Sequence, residues 1–437
     1  MKRTLTLLVL LLATRVAAAQ EPVVRLTLDD AIARGLAHSH RLAELQARKQ
    51  GADAAEAGRA AAMQPSISLL GGYTRTNHVD EFGIAQPGQP PRLIYPDIPD
   101  NYRARIDLSW PIYSGGRSDA LERAAAAEGH AAAEDVAAAQ SDLRLEIARA
   151  FWALVSAIET EHVLARSLDS MAAHVSDLRS RFDQGLIPPN DVLSAEAQQS
   201  RQRVLSIEAR NTRAICEADL RRLIGLDTGE RVEPVATLDE PQAAVSTPEG
   251  LLAEARNDRP ERRALAERTD ASRAREAAVA ATARPQVGVN AGYDYARPNP
   301  RIFPRQGSWQ DSWDVSVNVS WLLWDGGRRR AEQAEAAAAS RAVEARAADL
   351  DRQIAFEVSQ RWLELDSSRA AIGAAADGVR SATEARRVVT ERFRAGVITS
   401  SDVVDADLAV LQAELDLTRA RANARLAEAR LNRAVGR

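Results

Sequence analysis

Four segments of the chain alternate apolar and polar residues with a period of two. In the segment from Tyr102 the apolar and polar residues occupy opposite parities, and the segment from Ser312 repeats this arrangement. The pattern is typical of a strand with one apolar and one polar face. Two further segments, each beginning after a proline (Pro65 or Pro285), show the same alternation. The sequence therefore predicts four strands, at about 66–77, 102–113, 286–295 and 312–324.

Long runs rich in Ala, Arg, Glu and Leu follow the second strand of each pair. They begin after Gly116 and Gly327 and contain almost no glycine or proline until Gly185 and Gly396. These residues favour helix, and a run of about 65 residues would extend to roughly 100 Å. Each run turns at its glycine and returns as a shorter helical run. We predict two helical hairpins, at about 116–224 and 327–434, whose alanine-rich faces allow close packing.

The two halves of the chain repeat one another at a constant spacing. SWPIYSGGR from Ser109 aligns with SWLLWDGGR from Ser320, and RFDQGLI from Arg181 aligns with RFRAGVI from Arg392. Both pairs are 211 residues apart (320 − 109 and 392 − 181). A repeat of this length is a duplicated structural unit, because solenoid repeats are much shorter. We expect a first repeat at 20–225, a linker at 226–246 and a second repeat at 247–437.

Each half also opens with a predicted helix and contains a loop between its two strands. Thr27 with Asp30 resembles a capping box, and Ser246 with Pro248 and Glu249 predicts the start of another helix. The prolines before the first strands are 285 − 65 = 220 residues apart, so the loop at 81–100 is about nine residues longer than its equivalent at 297–310. External loops of membrane barrels tolerate such differences.

The N-terminus predicts export, and the strands predict an assembly. A basic start, an apolar run at 5–13 and three alanines before Gln20 indicate a secretory signal at 1–19. No later stretch approaches the roughly 18 apolar residues that a membrane-spanning helix needs, so a membrane crossing would require a β-barrel. Four strands cannot close one, because the smallest known barrels have eight. Three copies would supply about 12 strands.

Composition argues against nucleic-acid binding and catalysis. The formal net charge is −4, with acidic and basic residues interspersed, which is unlike a nucleic-acid-binding surface. Cys216 is the single cysteine, and the lysines Lys2 and Lys49 do not follow a glycine, which excludes a phosphate-binding loop. We predict no catalytic, cofactor or metal site, and we interpret the scattered histidines as solvated polar positions: His38, His40, His78, His130, His162 and His174.

Aromatic residues lie towards the strand ends, as in the girdles that mark the boundaries of a membrane. The alternative is that aromatic residues simply favour strands. The predicted membrane-interface set is Tyr102, Trp110, Tyr113, Trp313, Trp321 and Trp324.

In four features the chain resembles the TolC-like outer-membrane efflux proteins. These are the duplicated layout, the strand ending in Trp-x-x-x-Asp-Gly-Gly-Arg, the Arg-Phe-x-x-Gly tips and the Asp-Val-Val-Asp after the second tip. The resemblance implies a mostly α fold of the α+β class, in which a homotrimeric outer-membrane β-barrel continues as a long periplasmic α-helical barrel. It implies a Gram-negative outer membrane. It further implies a channel of a tripartite efflux or type I secretion system, which docks onto a periplasmic adaptor and, through it, an inner-membrane pump.

The resemblance also assigns candidate site residues. The adaptor-docking tips would be Gly185, Leu186, Gly396 and Val397, unless these residues only form turns. The periplasmic gate would comprise Asp402, Asp405 and Asp191, unless these acids only complement the helix dipole. The arginine and tyrosine of the family's closing network are replaced by Ile398 and Phe393.

Two other classes of protein remain as alternatives. A periplasmic coiled-coil adaptor, or a structural protein without a pore, would share the helical hairpins but would not need four amphipathic strands with terminal aromatic residues. A secreted enzyme would need a catalytic cluster.

Overall fold

The computed structural model describes residues 23–227, 229–239 and 246–437. The predicted signal at 1–19 lies outside these residues. The described chain divides into two compact units. The first comprises the residues up to Glu44, together with Ala137–Arg259 and Arg352–Arg437, and the second comprises Leu45–Val136 and Pro260–Asp351.

Eight α-helices form most of the described chain. They are α1 (Leu28–His38), α2 (His40–Ala60), α3 (Arg117–Asp183), α4 (Pro189–Ile224), α5 (Pro248–Asp258), α6 (Pro260–Ala281), α7 (Arg328–Arg394) and α8 (Ser400–Val435). The long helices α3 and α7 each have 67 residues, and the return helices α4 and α8 each have 36. Both pairs start 211 residues apart (328 − 117 and 400 − 189), which confirms the duplication. Among the described residues, no helix has the length and apolar character needed to cross a membrane.

A four-stranded antiparallel sheet dominates the second unit. Its order is β2–β5–β7–β8, with β2 at Ser66–Arg75, β5 at Asp100–Tyr113, β7 at Gln286–Arg297 and β8 at Gln310–Ser320. The predicted end of the last strand, at 324, is wrong by four residues. Ser320 pairs with Gln286, the first residue of β7, and Pro285 before it has no backbone N–H with which to continue the ladder.

Two further strand pairs were not predicted from the sequence. The long loop at 81–100 contains a hairpin of β3 (Phe82–Gln86) and β4 (Gln89–Tyr95). In the first unit, β1 (Val23–Leu26) pairs in parallel with β6 (Arg231–Pro234), which lies inside the predicted linker at 226–246.

The helix starts agree in part with the sequence signals. Thr27 and Asp30 form the predicted capping box of α1. The N-cap of α5 is Thr247, not Ser246, and its hydroxyl accepts a hydrogen bond from the Gly250 N–H. The physical reason is Pro248, which occupies the first helical position and makes the preceding residue the cap.

Candidate functional site

Both helical hairpins turn at a glycine in the left-handed region. Gly185 has a φ of 72° and Gly396 a φ of 74°, a conformation that other residues rarely adopt. The next residue of each turn is apolar and exposed: Leu186 keeps 67% and Val397 64% of its surface accessible. The structure therefore places each predicted docking pair at a helical tip, with its apolar side chain open to solvent.

The two tips bury equivalent phenylalanines to different extents. Phe393 is only 8% exposed, whereas Phe182, 211 residues earlier, is 42% exposed. The Arg181 guanidinium lies 4.7 Å from the centroid of the Phe393 ring, within range of a cation–π interaction. Phe393 belongs to an apolar cluster with Val175, Leu178, Val192, Ala195 and Val403.

Asp402 is engaged at the start of its own helix. Its Oδ2 accepts hydrogen bonds from the Thr399 backbone N–H at 2.9 Å and from the Thr399 hydroxyl at 2.6 Å. The hydrogen bond from the Thr399 hydroxyl has the larger effect and the one from the backbone N–H the smaller, and together they hold the pKa of the Asp402 carboxyl below its usual value. This local use matches the alternative interpretation of Asp402 as a residue of the helix start.

Asp405 and Asp191 differ from Asp402. Asp405 is exposed, and its carboxylate contacts no polar partner in the part of the chain that the structure describes. Asp191 is equivalent to Asp402 (402 − 191 = 211), but it closes no capping box, because the N-cap of α4 is Pro188, which has no side-chain hydroxyl. Of the three predicted gate acids, Asp405 is the one that is both exposed and unbonded.

His174 is not a solvated polar position, and its interpretation from the sequence was wrong. It is half-buried, with its Nε2 3.2 Å from the Ser400 hydroxyl and its ring edge-on to Phe393 at 5.8 Å. Burial lowers the pKa of His174, and the nearby Asp407 carboxylate partly opposes this shift. Asp407 is buried 3.7 Å from the Arg386 guanidinium, and burial raises the pKa of its carboxyl.

His174 and Asp407 line a cleft of about 750 Å³ between α3, α7 and α8 near the tips. Sequence reasoning missed this titratable pair. A signal was present, because His174 lies between Met171 and Leu178, two fully buried residues one turn away on either side. No group of three or more His, Cys, Asp or Glu side chains suited to a metal occurs among the described residues.

In the second unit, the register of the sheet joins the apolar positions of all four strands into one face. Ile106 pairs with Leu69 on one side and with Tyr293 on the other, and Tyr293 pairs with Trp313. Most of these side chains are exposed. An exposed apolar face of this extent marks a surface for lipid or for another protein.

The opposite face of the sheet carries an ion-pair network. Arg105 contacts the carboxylates of Asp107 at 2.7 Å, Asp314 at 3.2 Å and Asp294. Arg103 adds a second contact to Asp294 at 2.5 Å. These pairs join β5 to β7 and β8 across the polar face, whose charges are thereby largely balanced.

The predicted girdle residues differ in position: most lie at or just beyond the strand ends, whereas Trp313 is level with Ile106 in the middle of β5. Trp110 and Trp321, at equivalent positions, donate their indole N–H to the carbonyls of Met63 at 3.2 Å and Ala283 at 3.0 Å. Each ring body remains exposed, which suits a residue with one apolar and one wet end. Tyr102 contacts the rings of Tyr73 and Trp309 near the other strand end. The remaining predicted residues are all exposed: Tyr113, Trp313 and Trp324.

The chain resembles known proteins along most of its length. The family described as "Outer membrane efflux protein" matches residues 31–226 and 251–437. The outer membrane protein TolC of Vibrio cholerae serotype O1 is 25% identical over 404 residues, which cover 90% of this chain and 87% of that protein.

Solved structures share the fold. The outer membrane protein VceC of Vibrio cholerae superposes with a TM-score of 0.77 at 20% identity, over 94% of this chain and 96% of that chain. The MtrE outer membrane channel of Neisseria gonorrhoeae, solved in its open state, superposes with a TM-score of 0.76 at 17% identity, over 94% and 88% of the two chains.

Proposed function

Because the chain belongs to the outer membrane efflux protein family, we propose that it is the outer-membrane channel of a tripartite efflux or type I secretion system. In this role it is a passive conduit from the periplasm to the exterior. The energy for transport comes from an inner-membrane pump, to which the channel is connected by a periplasmic adaptor. The family is one of channels and not of enzymes.

One observation carries this proposal: the four-stranded sheet has an exposed apolar face and two unpaired edges, β2 and β8. Open edges are not tolerated in lipid, because their backbone groups find no water to bond. Three copies, with β8 of each paired to β2 of the next, would close a barrel of about 12 strands. The apolar face would then contact lipid, and the ion-paired face would line an aqueous lumen.

The distance between the aromatic residues supports a membrane position. Tyr102 and Trp110 lie eight residues apart on β5, which corresponds to about 26 Å along a strand and to about 20 Å of height at a strand tilt of roughly 40°. Outer-membrane barrels carry an apolar band of roughly 25 Å between their aromatic girdles. A coiled-coil adaptor without a pore would have no use for this face.

The tips would carry the contact with the adaptor. Leu186 and Val397 are exposed beside their turn glycines. An apolar side chain that is exposed at a turn is better explained by binding to a partner than by folding alone. Gly185 and Gly396 would set the shape of the docking surface, and Asp402, Asp405 and Asp191 would form the gate behind it.

Fractionation and conductance test the channel. We expect an SDS-resistant, heat-dissociable trimer in the outer-membrane fraction, which conducts ions in planar bilayers. A monomer recovered from the periplasmic fraction would contradict the proposal and favour a protein without a pore.

A separate experiment tests docking. Leu186→Asp with Val397→Asp should abolish co-purification of the genetically linked adaptor, while trimer yield and conductance remain unchanged. Gln184→Asp, at an exposed position of the first turn, is the matched control and should retain the adaptor. Normal adaptor recovery by the double variant would remove the tips from the interface.

A further inference from the structure

The polar face of the four-stranded sheet carries as many positive as negative charges. Its strands supply two arginines and three aspartates, and the loop between β7 and β8 adds a third arginine. These residues are Arg103, Arg105, Arg301, Asp107, Asp294 and Asp314. Each of the six contacts at least one group of opposite charge within this set. Across these described strands, the polar face therefore presents no unpaired charge.

Arg105 lies at the centre of this network. Its guanidinium contacts all three acids, and only 16% of its side chain remains exposed. One of these acids, Asp314, also contacts Arg301 at 2.8 Å. Side chains on a strand usually stand roughly perpendicular to the sheet. Arg105 can lie along the sheet only if the neighbouring strand leaves room for its guanidinium.

Gly292 provides this room. It pairs with Asp107 on one side and with Asp314 on the other, and a Cβ at this position would lie 2.6 Å from the Arg105 Cζ atom. Carbon atoms in ordinary contact are about 3.5–4.0 Å apart. Because the guanidinium is the end of a flexible side chain, a methyl group at position 292 would displace the guanidinium and leave the backbone in place. The displaced charge would move away from the sheet.

We propose that Gly292 determines how the lumen treats charged cargo, because it keeps Arg105 within the network and the wall of the barrel neutral. This inference rests on the proposed channel, in which the polar face lines the lumen. A ring of displaced arginines, one from each of three copies, would attract anions and bind multivalent ones. The neutral wall passes anionic and cationic cargo alike, which leaves selection by charge to other parts of the channel.

Block by a multivalent anion tests this role. Inorganic tripolyphosphate is added to the extracellular side of full-length trimers in planar bilayers, so that it meets the barrel before the periplasmic end. The wild-type channel should conduct with little block, whereas Gly292→Ala should lower the half-blocking concentration about tenfold. Gly288→Ala is the matched control and should behave as the wild type. It lies on the same face of β7, and its Cβ would lie 3.7 Å from the Trp110 carbonyl oxygen, which is an ordinary contact.

Asp294→Asn tests the neutral wall by another route. It removes the acid that Arg103 and Arg105 share, so tripolyphosphate should again block. Its control is Asp311→Asn, which changes an exposed acid whose position belongs to the opposite face and should not increase block. Adding Arg105→Gln to Gly292→Ala should abolish the block, because it removes the displaced charge.

The outcomes separate this inference from the proposed channel. Stronger block of Gly292→Ala than of Gly288→Ala supports it. Conducting trimers in which these two variants are blocked equally overturn the role of Gly292 and leave the channel proposal intact, whereas a wild-type protein that does not conduct overturns both. If Gly292→Ala fails to assemble, adding Arg105→Gln should restore the trimer, because it shortens the side chain that the methyl group meets. Failure to restore it would overturn the proposed contact.

Discussion

His174 connects the packing of one residue to the pH of the periplasm. Its folded pKa is lowered by burial, so the neutral form is favoured in the folded chain. The stabilisation is therefore complete above its unfolded pKa of about 6.5 and is lost as the pH falls through the lower folded pKa. Asp407 and Asp177 oppose the shift, whereas Arg181 reinforces it.

We predict that mild acidification loosens the tips. The protection factors of the amides near Ser400 and Phe393, corrected for the intrinsic exchange rate at each pH, should fall between about pH 7 and pH 5, because a protonated His174 is poorly solvated in its half-buried position. His174→Asn should flatten this dependence. His162→Asn, which changes an exposed histidine of the same helix, should leave it intact; the same flattening there would assign the effect to exposed groups.

The gate prediction also concerns individual residues. Asp402→Ala with Asp405→Ala should lower cation selectivity in planar bilayers and relieve block by trivalent cations from the periplasmic side, because a ring of acids attracts cations. Asp405→Asn alone should produce most of the effect, since Asp402 is already hydrogen-bonded to Thr399. Unchanged selectivity and block in an assembled trimer would reduce both acids to residues of the helix start.

Among the elements, long and periodic segments were predictable, whereas short ones were not. The strands of the main sheet follow an uninterrupted alternation, and all four of their predicted starts lie within two residues of the observed positions. The β3–β4 hairpin was missed because Pro87, Gly88, Pro90 and Pro91 have the composition of a loop. The pairing of β1 with β6 joins two segments of four residues, which is too short for a periodic signal.

The candidate site was predictable only where it follows local chemistry. The turn glycines and the capping position of Asp402 follow from sequence spacing, because both are set within a few residues. The burial of His174 depends on Phe393 and Ser400, more than 200 residues away (393 − 174 = 219 and 400 − 174 = 226). The spacing of residues along the chain does not indicate such a contact.

A pair of neighbouring substitutions tests the two faces of the sheet. Val317 pairs with Val289 on the apolar face, whereas Asn318 pairs with Gly288 on the opposite face. Val317→Arg should lower trimer yield, because an arginine facing lipid destabilises a barrel, by about 2–4 kcal/mol at the midplane and by less towards the girdles. Asn318→Arg should assemble normally. Equal loss in both variants would mean that the assignment of faces is wrong.

For the whole molecule, the predicted fold class is confirmed: long duplicated helical hairpins accompany a four-stranded sheet, and solved outer-membrane channels share this fold. The location in the outer membrane follows from the family. The docking and gate residues remain predictions, because their roles depend on partners and on other copies of the chain.

The direction of the chain through the membrane is testable at the β3–β4 hairpin. This hairpin lies at the strand ends opposite those that lead into α3, so it should face outside if the helices are periplasmic. An epitope inserted beside Gly88, the exposed turn residue of the hairpin, should be labelled on intact cells. Labelling only after the outer membrane is permeabilised would reverse this orientation.

The equal lengths of the repeated helices imply that the two hairpins must have the same length. The two halves differ by 220 − 211 = 9 residues between their first strands and their helices, yet their long and return helices match residue for residue. One extra helical turn would shift a tip by about 5.4 Å. A partner bound to both tips would then find them at different heights. Insertions in the loops between the strands would therefore leave both tips in place, whereas a change in the length of one helical hairpin would have to be matched in the other.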